Sequence, residues 1–270
     1  GGCPAWGNTH YDILIENNTV TNPGTNGGQP DGIDLKVGLQ QVTVRGNVVR
    51  NAGTDGQGLT TAGVFSPVKS DLIIEKNIFT GGATSGISLG LQNGVVVRNN
   101  LVYGNVGIGI NFSGDISNPN KNVILYNNTL YNNTGGGIIL GGETQGALLR
   151  NNLLFNNNSD SYQMSSWGGL SGLDSDYNMM IPLGTTFTEG SHSVVLASSA
   201  GIVVNAGVGN FHLAAGSPAI NIGVNLSSTG FMDDFAGTQR PQGAAWDIGA
   251  YEFLGTMAVS AYLTGLFGVH

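Results

Sequence analysis

A phrase of alternating aliphatics, a two-residue turn ending in Asn and a further apolar pair occurs six times in this chain. It reads ILIENNTV at 13–20, VTVRGNVV at 42–49, LIIEKNIF at 72–79, VVVRNNLV at 95–102, VILYNNTL at 123–130 and ALLRNNLL at 147–154. Its asparagines, Asn18, Asn47, Asn77, Asn100, Asn128 and Asn152, are separated by 29, 30, 23, 28 and 24 residues. Self-similarity at such a period means stacked units, each of which buries its apolar face only against its neighbours.

Within the phrase the aliphatics alternate with period two, as in a half-buried strand. A weaker repeat lies between the copies: DGIDLK at 31–36, AGVFSP at 62–67, SGISLG at 85–90, VGIGIN at 106–111 and GGIILG at 136–141. Each unit thus holds at least two strands joined by Gly- and Asn-rich corners, where Gly supplies positive φ and Asn tolerates it. No helix-length pattern intervenes, and strands at the same position of successive coils run parallel, about 4.8 Å apart. The expected fold is all-β, a parallel β-helix solenoid, with regular coils over 1–158. The recurring Asn is expected to stack as a structural ladder, each amide bonding its copies above and below. Before the corner stand Glu16, Arg45, Glu75, Arg98, Tyr126 and Arg150 in turn. Opposite charges one strand apart favour that register by a few tenths of a kcal/mol per pair.

Charged residues make up 10% of the 270, Gly numbers 45, and the net charge is −8. This balance fits a turn-rich β structure and argues against nucleic acid as a partner, which needs a basic footprint to release counterions. The single cysteine, Cys3, excludes an internal disulfide. The longest apolar stretch, Met257 to Val269, is too short and too Gly-broken to serve as a transmembrane segment. The chain begins GGCPAW, with neither Met nor signal peptide, as expected of a processed product. Asn-x-Ser/Thr sites at Asn17, Asn111, Asn127, Asn132, Asn157 and Asn225 read first as turn chemistry.

After Asn158 the pattern loosens. Residues 159–253 are expected to form irregular coils and a C-terminal cap, followed by an apolar tail over 254–270. Here GNFHLAAGSPAINIG at 209–223 precedes DDFAGTQRPQGAAWDIGAYEF at 233–253. The segment resembles the C-terminal end of a group of secreted bacterial right-handed β-helix proteins, in which an HL…GSPAI phrase precedes D..G..RP.G…DIGAYE. His212-Leu213, Gly216 to Ile220, Asp234, Gly237, Arg240-Pro241, Gly243 and Asp247 to Glu252 carry the resemblance. It implies a right-handed, single-domain solenoid closed by this segment, and a secreted, extracellular or cell-surface life; it does not imply one activity. A solenoid end exposes unpaired backbone and apolar surface. Asp234, Arg240, Asp247 and Glu252 are therefore expected to build a cap, with an Arg–carboxylate pair pinning it. The N-terminus shows no comparable cap, so either residues were removed there or something else covers that end.

Aligning the second repeat puts Asp34, Phe65, Ser88, Gly109 and Ile139 in one outward column, with Lys36, Pro67, Gly90, Asn111 and Gly141 beside it. Trp6 falls level with Lys36, and His10, Asp31, Asp55 and Lys69 lie nearby. This N-terminal face resembles the cleft of pectate-lyase-like β-helix enzymes, where aspartates hold Ca²⁺ against a uronate carboxylate and a Lys or Arg removes the C5 proton. The resemblance implies Lys36 and Lys69 as base candidates and Asp31, Asp34 and Asp55 as calcium ligands. It makes Trp6, His10, Asp34 and Phe65 contacts to a polysaccharide or cell-surface glycan. Such chemistry needs a cation to neutralise the carboxylate and a base within reach of the proton. The chain has no run of adjacent aspartates and no Arg in that column, unlike strong examples of the family. Asp34 and Lys36, about 6.5–7 Å apart on one strand, read first as an ordinary exposed ion pair.

A second function class remains open: a structural or adhesive surface β-helix that associates with copies of itself through its ends or tail. Low charge, the Asn ladder and the β-prone run VSAYLTGLF within the tail motivate it. Zinc spacing among the four histidines, a phosphate loop and a nucleophile motif are all missing.

Overall fold

The computed structural model describes residues 11–21, 30–35, 39–53, 55–61, 69–157, 163–182 and 184–255, with Lys69 and Ser70 described by backbone alone. They form a parallel β-solenoid of four ladders. The first ladder has seven rungs: Ile13–Glu16, Val42–Arg45, Leu72–Glu75, Val96–Arg98, Ile124–Tyr126, Leu148–Arg150 and Asp174–Asp176. The second has eight, from Thr19–Thr21 through Leu153–Phe155 to Met179–Ile181 and Val194–Val195. The third has six: Ile33–Asp34, Gln57–Thr60, Ser85–Gly90, Ile108–Ser113, Gly136–Gly141 and Met164–Trp167. The fourth is a set of five two-residue rungs, from Lys69–Ser70 to Leu170–Ser171. No helix of the described residues is long and apolar enough to cross a membrane.

Alternation builds the core. Val44, Ile74, Val97, Leu125 and Leu149 from the first ladder meet Leu59, Ile87, Ile110 and Ile138 from the third, all fully buried. The strands stop where one residue per coil takes a left-handed backbone. Between the first and second ladders these are Asn17, Gly46, Lys76, Asn99, Asn127, Asn151 and Tyr177, with φ from 50° to 66°. Asn and Gly enter that region at little cost, which accounts for the two-residue corner of the sequence phrase.

The residue after each corner forms the expected ladder. Asn100 is typical: its Oδ1 accepts the backbone N–H of Asn77 and its Nδ2, each at 3.0 Å. Its own Nδ2 is shared among the carbonyls of Ile74 and Arg98 and Asn128 Oδ1 at 2.8–3.0 Å. The pattern runs from Asn18 to Asn152 and gains a seventh rung, Asn178. A second ladder, not singled out in the sequence, links Asn105, Asn133, Asn157 and Gln163 at the next corner. Asn127 and Asn157, both in glycan-acceptor triplets, are fully buried. The charged column also pairs as expected. Arg45 lies between Glu16 (2.8 Å) and Glu75 (3.9 Å), and Arg98 meets Glu75 at 2.7 Å.

The coils continue past Asn158: Met164–Trp167 and Leu170–Ser171 add rungs to the third and fourth ladders, Asp174–Asp176 and Met179–Ile181 to the first and second, and residues 184–196 close the end. Thr185 bridges Met164, Phe187 packs on the core, and Glu189 takes hydrogen bonds from Ser175, Ser193 and Asn178. The C-terminal segment is not an end cap. It lies along the side of the stack, held by the left-handed corner column itself. Lys76 pairs with Asp233 at 2.6 Å, and Asn99 bonds the Asp233 carbonyl and Arg240. Asn127 donates to the carbonyls of Asp247 and Gly249, and Asn151 exchanges bonds with Val224. Ile202, Phe211, Leu213, Ile248 and Tyr251 then cover the outward side of the second ladder at Leu101, Leu153, Phe155 and Ile181. The expected Arg–carboxylate pair is present, Arg240 to Glu252 at 2.6 Å, with both side chains fully buried.

Asn100→Ala should cost about 2–4 kcal/mol, because the Asn77 donors and the Ile74 carbonyl then lose their partner in a dry interior. Urea denaturation checks this, and a loss below about 1 kcal/mol would deny the ladder its role. The clasp adds a pH signature. Burial, with Glu252 adding to it, pushes the Asp247 carboxyl up to about 6, against the Asn221 and Phe253 N–H groups and the Arg240 charge. The folded state then holds this proton longer than the unfolded chain does, so its contribution to stability falls as pH rises from about 4 to 6. Relative to Asp247→Asn, the wild type should lose stability across that window; a difference flat with pH would contradict the assignment.

Candidate functional site

With one side covered, the third ladder offers a long outward row across six coils. Register pairs Asp34 with Thr60, Thr60 with Ser88, Ser88 with Asn111, Asn111 with Ile139 and Ile139 with Ser165. This corrects the sequence alignment in two places. The second coil contributes GQGLTT at 56–61, not AGVFSP, and the row passes through Asn111 instead of Gly109. Both segments begin with Gly and continue with an aliphatic, so the pattern alone favours neither. The ladder decides: Gly32, Gly58, Gly86, Gly109 and Gly137 each precede the inward aliphatic of their coil, and a Cβ on Gly58 would fall 2.4 Å from the Gly86 carbonyl oxygen.

Of the residues expected at the N-terminal end of this row, Trp6, His10, Lys36 and Phe65 lie outside the described residues. Asp34 is exposed on the first rung. Asp31 is half-buried and accepts the Gln57 N–H at 2.9 Å, tying one coil to the next. Asp55 sits on a left-handed turn, φ 69°, and is exposed. Lys69 opens the fourth ladder, its backbone paired with that of Gln92. Among the described residues no three His, Cys, Asp or Glu side chains come together to hold a metal ion. Asp31, Asp34 and Asp55 therefore do not fit the calcium site expected of them, and no step is derived through calcium.

The row ends in a feature the sequence reading missed. A groove of about 520 Å³ is lined by Gly114 to Asn118, Gly142, Glu143 and Gly168. Trp167, 55% exposed, adjoins it: the indole lies over Gly141, where a Cβ would fall 2.7 Å from Cζ2. Asp115 organises the 115–118 turn by accepting the N–H groups of Ser117 and Asn118, each at 2.8 Å. Glu143 accepts the Gly169 N–H at 3.1 Å and so fixes the turn that carries Trp167. The legible signal was Gly114, Gly142 and Gly168 at coil spacing, together with Trp167 itself.

A further polar cluster lies at the closing turn. His192 Nδ1 is 2.7 Å from Asp176 Oδ2, and the imidazole stacks on Tyr177 with centroids 4.3 Å apart. Burial works to raise the Asp176 carboxyl, but hydrogen bonds from the His192 ring and from the Tyr177 and His192 N–H groups outweigh it and hold it below its ordinary value. These bonds tie residues 189–193 to the last coil and read as closure.

Comparison with known proteins agrees with the architecture. A family model described as right handed beta helix region matches residues 5–178 and 63–211. No curated protein matches the sequence. Among solved structures, the crystal structure of a pectate lyase aligns over 89% of this chain and 87% of its own, with 15% identity and a TM-score of 0.39.

Proposed function

The chain belongs to the family of right handed beta helix regions, and on that footing we propose that it is an extracellular carbohydrate-active protein that lays a polysaccharide along the outward row of its third ladder. One observation carries this reading. The C-terminal clasp covers the second ladder, while the third leaves Asp34, Ser88, Asn111, Ile139, Ser165 and Trp167 half-exposed or exposed, with Thr60 of the second coil buried. Rungs repeat at about 4.8 Å, so the row presents carboxylate, hydroxyl, amide and indole groups over roughly 24 Å. Hydroxyl groups both donate and accept, which suits the hydroxyl-rich edge of a glycan.

The finer reading is β-elimination on an acidic, uronate glycan. A base takes the C5 proton, its electron pair forms the C4–C5 double bond, and the C4–O bond to the next sugar breaks, the leaving oxygen taking up a proton. Lys36, two residues from Asp34, and Lys69 are the base candidates. Incubation with pectate, alginate and a neutral glucan or xylan tests both levels at once. The account expects retention by at least one polymer in affinity electrophoresis. An absorbance rise from unsaturated product that disappears in Lys36→Ala would support elimination. Retention without any such rise would leave a glycan-binding protein and reject the lyase, and no retention by any polymer would reject the whole reading.

A further inference from the structure

The groove beside Trp167 departs from the rest of the row in three ways. Its floor is bare backbone: a Cβ on Gly142 would fall 2.0 Å from the Gly114 carbonyl oxygen, and one on Gly168 2.0 Å from that of Gly142. No side chain fits there without moving the coil beneath, so the floor stays flat beside the indole. Its ionisable lining groups, Asp115 and Glu143, are both acidic. Behind the floor lies a buried donor without a partner. Asn120 is fully buried, its Oδ1 accepts the Gln92 N–H at 2.9 Å, and its Nδ2 has no hydrogen bond. That nitrogen stands 3.0 Å from the position a Cβ on Gly114 would take. The neighbouring rungs are Gln92, whose Oε1 is likewise buried without a hydrogen bond, and Thr144, whose hydroxyl donates to the Gly141 carbonyl at 3.5 Å. A buried donor in this state is costly.

We propose that this groove is a subsite for an uncharged sugar residue, stacked on Trp167 and hydrogen-bonded by its hydroxyls to Asp115, Glu143 and the exposed backbone. The inference rests on the glycan-binding reading above and narrows its substrate class at this end of the row. A sugar's C–H face packs on an indole, which offers a large, rigid, apolar surface. Carboxylates accept hydroxyl hydrogen bonds more strongly than neutral groups do. A uronate here would place its own carboxylate against two others, and like charges in contact repel even in water. The groove thus selects neutral over acidic sugars.

Titration calorimetry with xylohexaose, cellohexaose, mannohexaose and hexagalacturonate on the full chain tests this. At least one neutral hexamer should bind more tightly than hexagalacturonate at low salt, with the gap narrowing as salt screens the repulsion. Trp167→Ala, at an exposed position, should weaken that neutral hexamer by about tenfold or more with an unchanged melting temperature. Asp115→Asn keeps the Oδ1 acceptor of the turn and removes a charge, so it should narrow the gap as salt does. Tightest binding to hexagalacturonate, or neutral binding unaffected by Trp167→Ala, would overturn the subsite while leaving a glycan-binding row elsewhere. No binding of any hexamer, together with no retention by the polymers, would overturn both.

Discussion

The corner asparagine decides whether this chain can form coils at all. A solenoid coil turns its backbone inward at each corner, where carbonyls and N–H groups face a dry core and have no sheet partner. Asn side chains meet that demand by accepting from the coil before and donating to carbonyls and the next Asn. Leaving such groups unmet would cost about 1–3 kcal/mol each, and the loss would recur in every coil. The ladder is thus the condition on which the aliphatic core assembles. It needs both ends satisfied, and at the far end Asn178 is met by Ser175, Ser193 and Glu189 of the closing turn.

The same corner has an outer half. The left-handed residue just before each ladder Asn projects the other way, and from Lys76 to Asn151 that column grips the C-terminal segment. One two-residue motif therefore holds the core from inside and the clasp from outside. The Glu252, Asp234 and Asp247 carboxylates accept backbone N–H groups within the clasp, and Arg240, paired with Glu252, donates to the Asp247 and Gly249 carbonyls, so together they hold it in one shape. The clasp covers the second ladder this way, and the proposed function places a long ligand on the outward side of the third.

Much of this was legible in the residues. The six phrases fix the first two ladders and the inner Asn rungs, because an inward column tolerates little change in chemistry from coil to coil. The alternation of Glu16, Arg45, Glu75 and Arg98 reports register directly. Three things were not legible. AGVFSP and GQGLTT both fit a Gly-led strand, and the choice depends on which Gly stacks on Gly32 and Gly86, a contact between coils. The C-terminal phrase reads as a cap because nothing local reveals that its partners, Lys76, Asn99 and Asn127, lie more than 100 residues earlier. The groove at Trp167 is built from the Gly114–Asn118 turn, which a repeat alignment treats as an insertion. Function lies where repeats are irregular, and irregular segments carry the weakest pattern.

The central claim is that the clasp side is closed and the third-ladder side is the working face. Amide hydrogen exchange on the full chain, with and without a polysaccharide that it retains, addresses this most directly. The account predicts ligand-induced protection in peptides spanning 85–93, 108–118, 139–145 and 164–171, with 199–255 already protected and unchanged. Protection appearing in the 199–255 clasp, and not in those third-ladder peptides, would contradict it.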